Sequence, residues 1–173
     1  MTPAETPTET ALIVPVPGLD PVVGEFRRRL DHSAPWGVPP HVTVCYPFVP
    51  PAEAGDVIAT LPSVPAFECT FREVRWFGDD VVWLAPEPEE PFRALTAEVL
   101  RRFPDHPPYG GRFGDPIPHL TVGSTRLGTY PDLREAGDVV KERLPVTVTI
   151  DRMLLIAGTD APDSWQTVAE VPF

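Results

Sequence analysis

Two stretches of this chain repeat one pattern: "PPHVTVCYPF", which contains His41, and "IPHLTVGSTR", which contains His119. In each, a proline precedes the histidine and a threonine and a valine follow it. Each opens an apolar run that reads as a strand. The repetition extends beyond the motifs, because both halves spell a helix, a proline-rich loop, an HxTV strand, a further helix and then two strands. A duplicated order of elements constrains the fold more than any single boundary does, since each unit must find an equivalent place in the structure.

The strands expected are 11–17, 41–48, 119–123, 165–173 and two around the Gly78-Asp79-Asp80 turn, with "VTVTIDRMLLIAG" as one strong strand over 146–158. Helices are expected over 19–30, entered through Asp20 and Pro21, and over 51–61, 89–103 and 130–144. The third of these places Phe92, Leu95, Val99 and Phe103 at helical spacing. Residues 1–10 read as a flexible tail and 11–173 as a single bilobal domain. There are 25 prolines in 173 residues, but they lie among apolar runs with no period, which points to a globular chain.

On a strand, residues two apart share a face. His41 and Thr43 therefore point one way, as do His119 and Thr121, while Val42, Val44, Leu120 and Val122 point into a core. If the repeat brings the strands together, two imidazoles and two hydroxyls line one cleft. One neutral imidazole can then take a proton while the other, protonated, donates one to a leaving oxygen, and the threonines can donate to phosphate oxygens. A single HxT is a weak signal. Two copies, 78 residues apart in a chain with four histidines, are a much stronger one.

"PHVTVCYPF" and "PHLTV" resemble the two signature motifs of the 2H phosphoesterase superfamily, which includes bacterial 2'-5' RNA ligase-like proteins and cyclic phosphodiesterases. The likeness runs from about Leu12 to Phe173. It implies an α+β fold of two pseudo-symmetric lobes, each an antiparallel sheet backed by helices, around a central cleft. It implies that His41 and His119 are the acid–base pair and that Thr43 and Thr121 bind phosphate. It also implies metal-independent hydrolysis of a small cyclic phosphodiester, such as a nucleoside 2',3'-cyclic phosphate or an RNA-end cyclic phosphate, with no cofactor. A non-catalytic nucleotide-binding module using the same cleft is the alternative. Several relatives carry a basic residue soon after the second motif. Here the chain reads "GSTR", so Arg126 stands as either a displaced counterpart or a surface charge.

Trp36 and Tyr109, in the loops before the two motifs, are candidates to stack on a base, and Arg112 is a candidate phosphate contact. Cys45 continues the parity of His41 and Thr43, with core packing as the plainer alternative. His32 and His106 lack the HxT context, and Arg27-Arg28-Arg29 reads as the exposed face of the first helix. The formal net charge of -11 disfavours extended duplex nucleic acid as a partner and leaves a small nucleotide or RNA terminus. No HExxH or CxxC announces zinc. No run approaches the roughly 20 apolar residues of a membrane span. A cytoplasmic monomer is expected.

Overall fold

The computed structural model describes residues 6–173. Its elements fall into two successive units of the same form. The first runs β1 (Glu9–Pro15), α1 (Asp20–Leu30), β2 (His41–Cys45), α2 (Ala54–Val57) and β3 (Phe67–Phe77). The second runs β4 (Val81–Glu87), α3 (Glu90–Arg102), β5 (Leu120–Ser124), α4 (Tyr130–Glu142) and β6 (Val146–Ile150). A hairpin of β7 (Arg152–Gly158) and β8 (Gln166–Pro172) closes the chain.

The strands build two antiparallel four-stranded sheets, ordered β2-β1-β7-β8 and β5-β4-β3-β6. The units are therefore not the lobes: β3 of the first unit lies in the second sheet between β4 and β6. The helices are exchanged as well. Helix α1 leads into β2 but packs against β5, and α3 leads towards β5 but packs against β2. The Thr96 hydroxyl of α3 even donates to the Val44 carbonyl on β2, at 2.9 Å. Close approach of α1 to β5 needs Gly123, where a Cβ would stand 2.6 Å from the Leu30 Cβ.

The motif strands are edge strands, each anchored by its apolar parity. Val42, Val44, Leu120 and Val122 all enter one continuous core that also holds Leu12, Val14, Val82 and Leu84. Each such side chain contributes roughly 1.5–3 kcal/mol relative to exposure, so the opposite face of each strand is rigidly presented.

Four expectations need correction. The run 146–158 is two strands, broken at Asp151, because the chain leaves β3 after the buried Ile150 and pairs with β8 from Arg152 and with β1 from Leu154. Alternation of apolar residues does not reveal which sheet a strand joins. The helix over 51–61 shrinks to four residues between 3-10 turns; no side chain caps it, and Gly55, Val57 and Ile58 are poor helix formers. The first strand begins at Glu9 rather than Ala11, and Thr10 is buried with its hydroxyl donating to the Val49 carbonyl at 2.6 Å. The rest of the expected tail lies at 6–8, without regular structure, and at 1–5, outside the described residues. Finally, Arg27 is only 3% exposed, because it lies on the same stripe of α1 as Val23, Phe26 and Leu30.

Candidate active site

The two motif strands abut, with Cα atoms inside 8 Å, and His119 acts electrostatically on His41, so the two imidazoles lie near one another. His41 Nδ1 is 2.8 Å from the Pro39 carbonyl and His119 Nδ1 is 2.7 Å from the Ile117 carbonyl. A carbonyl only accepts, so each Nδ1 carries the proton and each Nε2 is the nitrogen free to act. The proline in each motif helps to explain this. Pro40 and Pro118 hold the residue before them extended, which places its carbonyl beside the ring two positions on.

Thr43 faces Ile13 of β1 across the first sheet, and Thr121 faces Trp83 of β4 across the second. The threonines are half-buried on the cleft face, as the alternation requires. The two walls differ. Beside Thr43, Ala11, Ile13 and Ile156 form an apolar patch with Trp165, Trp36 and Tyr46. Beside His119 stand Phe77 and Trp83, their ring centroids 5.0 and 5.9 Å from the imidazole, with Phe77 stacked on Trp83 at 4.6 Å.

Burial lowers the affinity of both imidazoles for protons. It draws His41 down to about 4, helped by the Arg27 guanidinium and opposed by Asp31 and the Pro39 carbonyl. His119 is lowered by burial and partly restored by the Ile117 carbonyl and Asp31. Each imidazole is thus neutral in the free protein at pH 7, and His119 also bears on His41 electrostatically.

Tyr109 comes from the loop before the second motif but serves the first. Its phenol lies close to the Thr43 side chain, and its amide donates to the Tyr46 carbonyl at 2.6 Å. It does so at φ 53°, a left-handed conformation that is costly for a tyrosine and that recurs at functional sites. Arg126 reaches across to lie over Trp36, 5.6 Å from the ring centroid, while Trp165 stacks on Trp36 at 6.2 Å and His32 meets its edge at 4.7 Å. Arg112 is placed with Phe113 instead, 5.9 Å over that ring on an exposed stretch of loop.

Cys45 leaves the cleft. A register shift between Leu12 and Ile13 on β1 sets Cys45 opposite Leu12, so the thiol enters the core, where burial pushes it up to about 12. That makes it a poor nucleophile at neutral pH. Cys69 is likewise free and buried. Among the described residues no group of three or more His, Cys, Asp or Glu side chains converges as a metal site, and no helix is long and apolar enough to cross a membrane.

Sequence reasoning missed three neighbours of the motif residues. Asp31 and Arg27 form a buried ion pair at 3.1 Å; both bear electrostatically on His41, and Asp31 also bears on His119. Their spacing of four on a helix, with Arg27 in the apolar stripe, was the available signal. Trp83 was hidden because its place beside Thr121 depends on which strand neighbours β5.

The geometry has relatives. E. coli LigT, in a structure with NADP+, is 16% identical over 98% of this chain and 99% of its own, with a TM-score of 0.61. The protein TT0787 of Thermus thermophilus is 16% identical over 95% of this chain and 97% of its own, with a TM-score of 0.63. At such identities the likeness shows the fold. No curated protein sequence gives a significant match. The model of the 2'-5' RNA ligase superfamily matches residues 15–161, which include both HxT strands and the helices exchanged between them. The chain therefore belongs to the 2'-5' RNA ligase superfamily, within the 2H phosphoesterases.

Proposed function

We infer that this protein is a phosphoesterase that hydrolyses a small cyclic phosphodiester, such as a nucleoside 2',3'-cyclic phosphate or an RNA-end cyclic phosphate, without a metal. The observation that carries this is the matched pair of imidazoles on abutting strands, each with Nδ1 fixed to a carbonyl and a threonine beside it on the cleft face. One Nε2 takes the proton of the attacking water. The other, protonated, gives its proton to the leaving ribose oxygen as the P–O bond breaks. Thr43 and Thr121 donate to the non-bridging oxygens, whose charge they stabilise as it develops. Tyr109 lies beside Thr43, and Trp36 with Arg126 offers a place for the nucleoside. Structures of E. coli LigT with 3'-AMP and with ATP, which share this fold, support a nucleotide as the kind of ligand. The net charge of -11 fits a small ligand better than a duplex. We place the protein in the cytoplasm as a monomer.

The test is a panel of nucleoside 2',3'-cyclic phosphates and RNA ends bearing them, incubated in EDTA, with product regiochemistry read by phosphorus NMR. Turnover in EDTA is expected. Activity that appears only on adding a divalent metal overturns metal independence, and tight nucleotide binding with no turnover favours the binding module. With a substrate in hand, Thr43→Val and Thr121→Val are each expected to lose about 10- to 100-fold in kcat/KM, the worth of one hydrogen bond to a charged group. A loss below twofold in both removes the threonines from the phosphate site.

A further inference from the structure

Each motif histidine is oriented by the carbonyl two residues before it, and the carbonyl one residue earlier still is held by an arginine. Arg27 of α1 donates through Nη2 to the Val38 carbonyl at 3.0 Å. Arg93 of α3 donates through Nη1 to the Pro116 carbonyl at 3.5 Å. Val38 and Pro116 both stand three residues before their histidine. The two arginines do not occupy equivalent turns of their helices, and the loops they hold are unlike in sequence, yet they meet the same backbone atom of the repeat.

We propose that Arg27 and Arg93 are positioning residues for His41 and His119, each fixing the stretch of backbone from which the carbonyl that binds Nδ1 projects. This rests on the acid–base role of the histidines. Proline makes the backbone stiff enough to pass the constraint on. Pro39 and Pro40 follow Val38, and Pro116 and Pro118 flank Ile117, so few torsions separate the held carbonyl from the one that meets the imidazole.

The two devices differ in stiffness. Arg27 is buried, and its Nε bonds Asp31 at 3.1 Å. The Ser33 hydroxyl accepts from Arg27 Nη2 at 3.1 Å and donates to Asp31 at 3.0 Å, while the Ser33 amide donates to the same carboxylate at 3.2 Å. The helix end, the loop and the motif strand are thereby joined in one network. Arg93 is 32% exposed and is shared between Glu89 at 3.5 Å and Asp115 at 3.0 Å, the latter 87% exposed. His41 is therefore held by a rigid clamp and His119 by a soft one. The charged and titratable groups bearing on His41 are Arg27, Asp31 and His119; on His119 it is Asp31.

The test reads the tautomer of each imidazole by nitrogen-15 NMR, which needs no substrate. In the unaltered protein both histidines carry the proton on Nδ1. In Arg27→Met/Asp31→Leu, which removes both charges and leaves no lone buried ion, His41 is expected to become a mixture of tautomers. The kcat on the cyclic substrate is expected to fall about 10- to 100-fold, the cost of a misplaced catalytic group, with KM within about twofold. Arg93→Met, whose partners lie at the surface, is expected to shift His119 the same way with a loss of about 2- to 5-fold in kcat, since its bond is long and exposed. A folded double variant whose His41 stays wholly protonated on Nδ1, or an unchanged His119 in Arg93→Met, overturns the proposal. Absent turnover with the tautomer shifts intact would count against the phosphoesterase reading instead.

Discussion

Replacing His41 with alanine is expected to lower kcat/KM on a cyclic phosphate by about 10²–10⁴-fold, and replacing His119 by a similar factor, the usual worth of a positioned acid or base. Neither substitution opens the core. Both imidazoles lie half-buried on the cleft side, while the side chains that anchor their strands are Val42, Val44, Leu120 and Val122. The folded structure should therefore survive, and circular dichroism with a thermal melt would show it. The losses should fall mainly on kcat, because proton transfer belongs to the transition state and not to binding. A folded variant of either histidine that keeps near-full turnover removes that residue from the chemistry.

The pH dependence of kcat/KM is expected to be a bell displaced to the acid side of neutrality. One histidine must be neutral, so the rate climbs as pH rises through the lower apparent pKa. The other must be charged, so the rate falls as pH rises through the higher one. Burial draws His41 down to about 4 and draws His119 below its ordinary 6.5, so both limbs lie below 6.5. Beyond the upper limb the rate should drop about tenfold per pH unit. The two values belong to the interacting pair rather than to either ring. A bound phosphate favours imidazolium, so the descending limb of kcat should sit at higher pH than that of kcat/KM. Rates measured from about pH 3.5 to about pH 8, with the fold checked at each end, decide the matter. A plateau running through neutral pH and beyond contradicts the burial of the pair.

Much of this site was legible because β-strand parity is local. Two prolines, two histidines and two threonines at fixed spacing are enough to put the imidazoles and hydroxyls on one face and Val42, Val44, Leu120 and Val122 on the other. The duplicated order of elements then implied that the two faces meet. What was not legible depended on long-range choices. Nothing in "VTVTIDRMLLIAG" says that Asp151 passes the chain from one sheet to the other, and without that step β7 does not reach β1. The exchange of α1 and α3 between units is likewise invisible in either helix, although it sets each helix against the other unit's motif strand. Cys45 misled because a single register shift reverses parity at the strand end. Arg27 misled because three consecutive arginines look like a solvated face, whereas the helical stripe carries one of them inward to Asp31.

The central claim is that His41 and His119 form one catalytic unit, and a double-mutant cycle on kcat tests it most directly. If either single change already breaks the pair, the His41→Ala/His119→Ala protein should be little worse than the poorer single variant, within about tenfold, although the product of the single losses would be about 10⁴–10⁸. A double variant whose loss equals that product would show two groups acting independently and would contradict the paired acid–base mechanism.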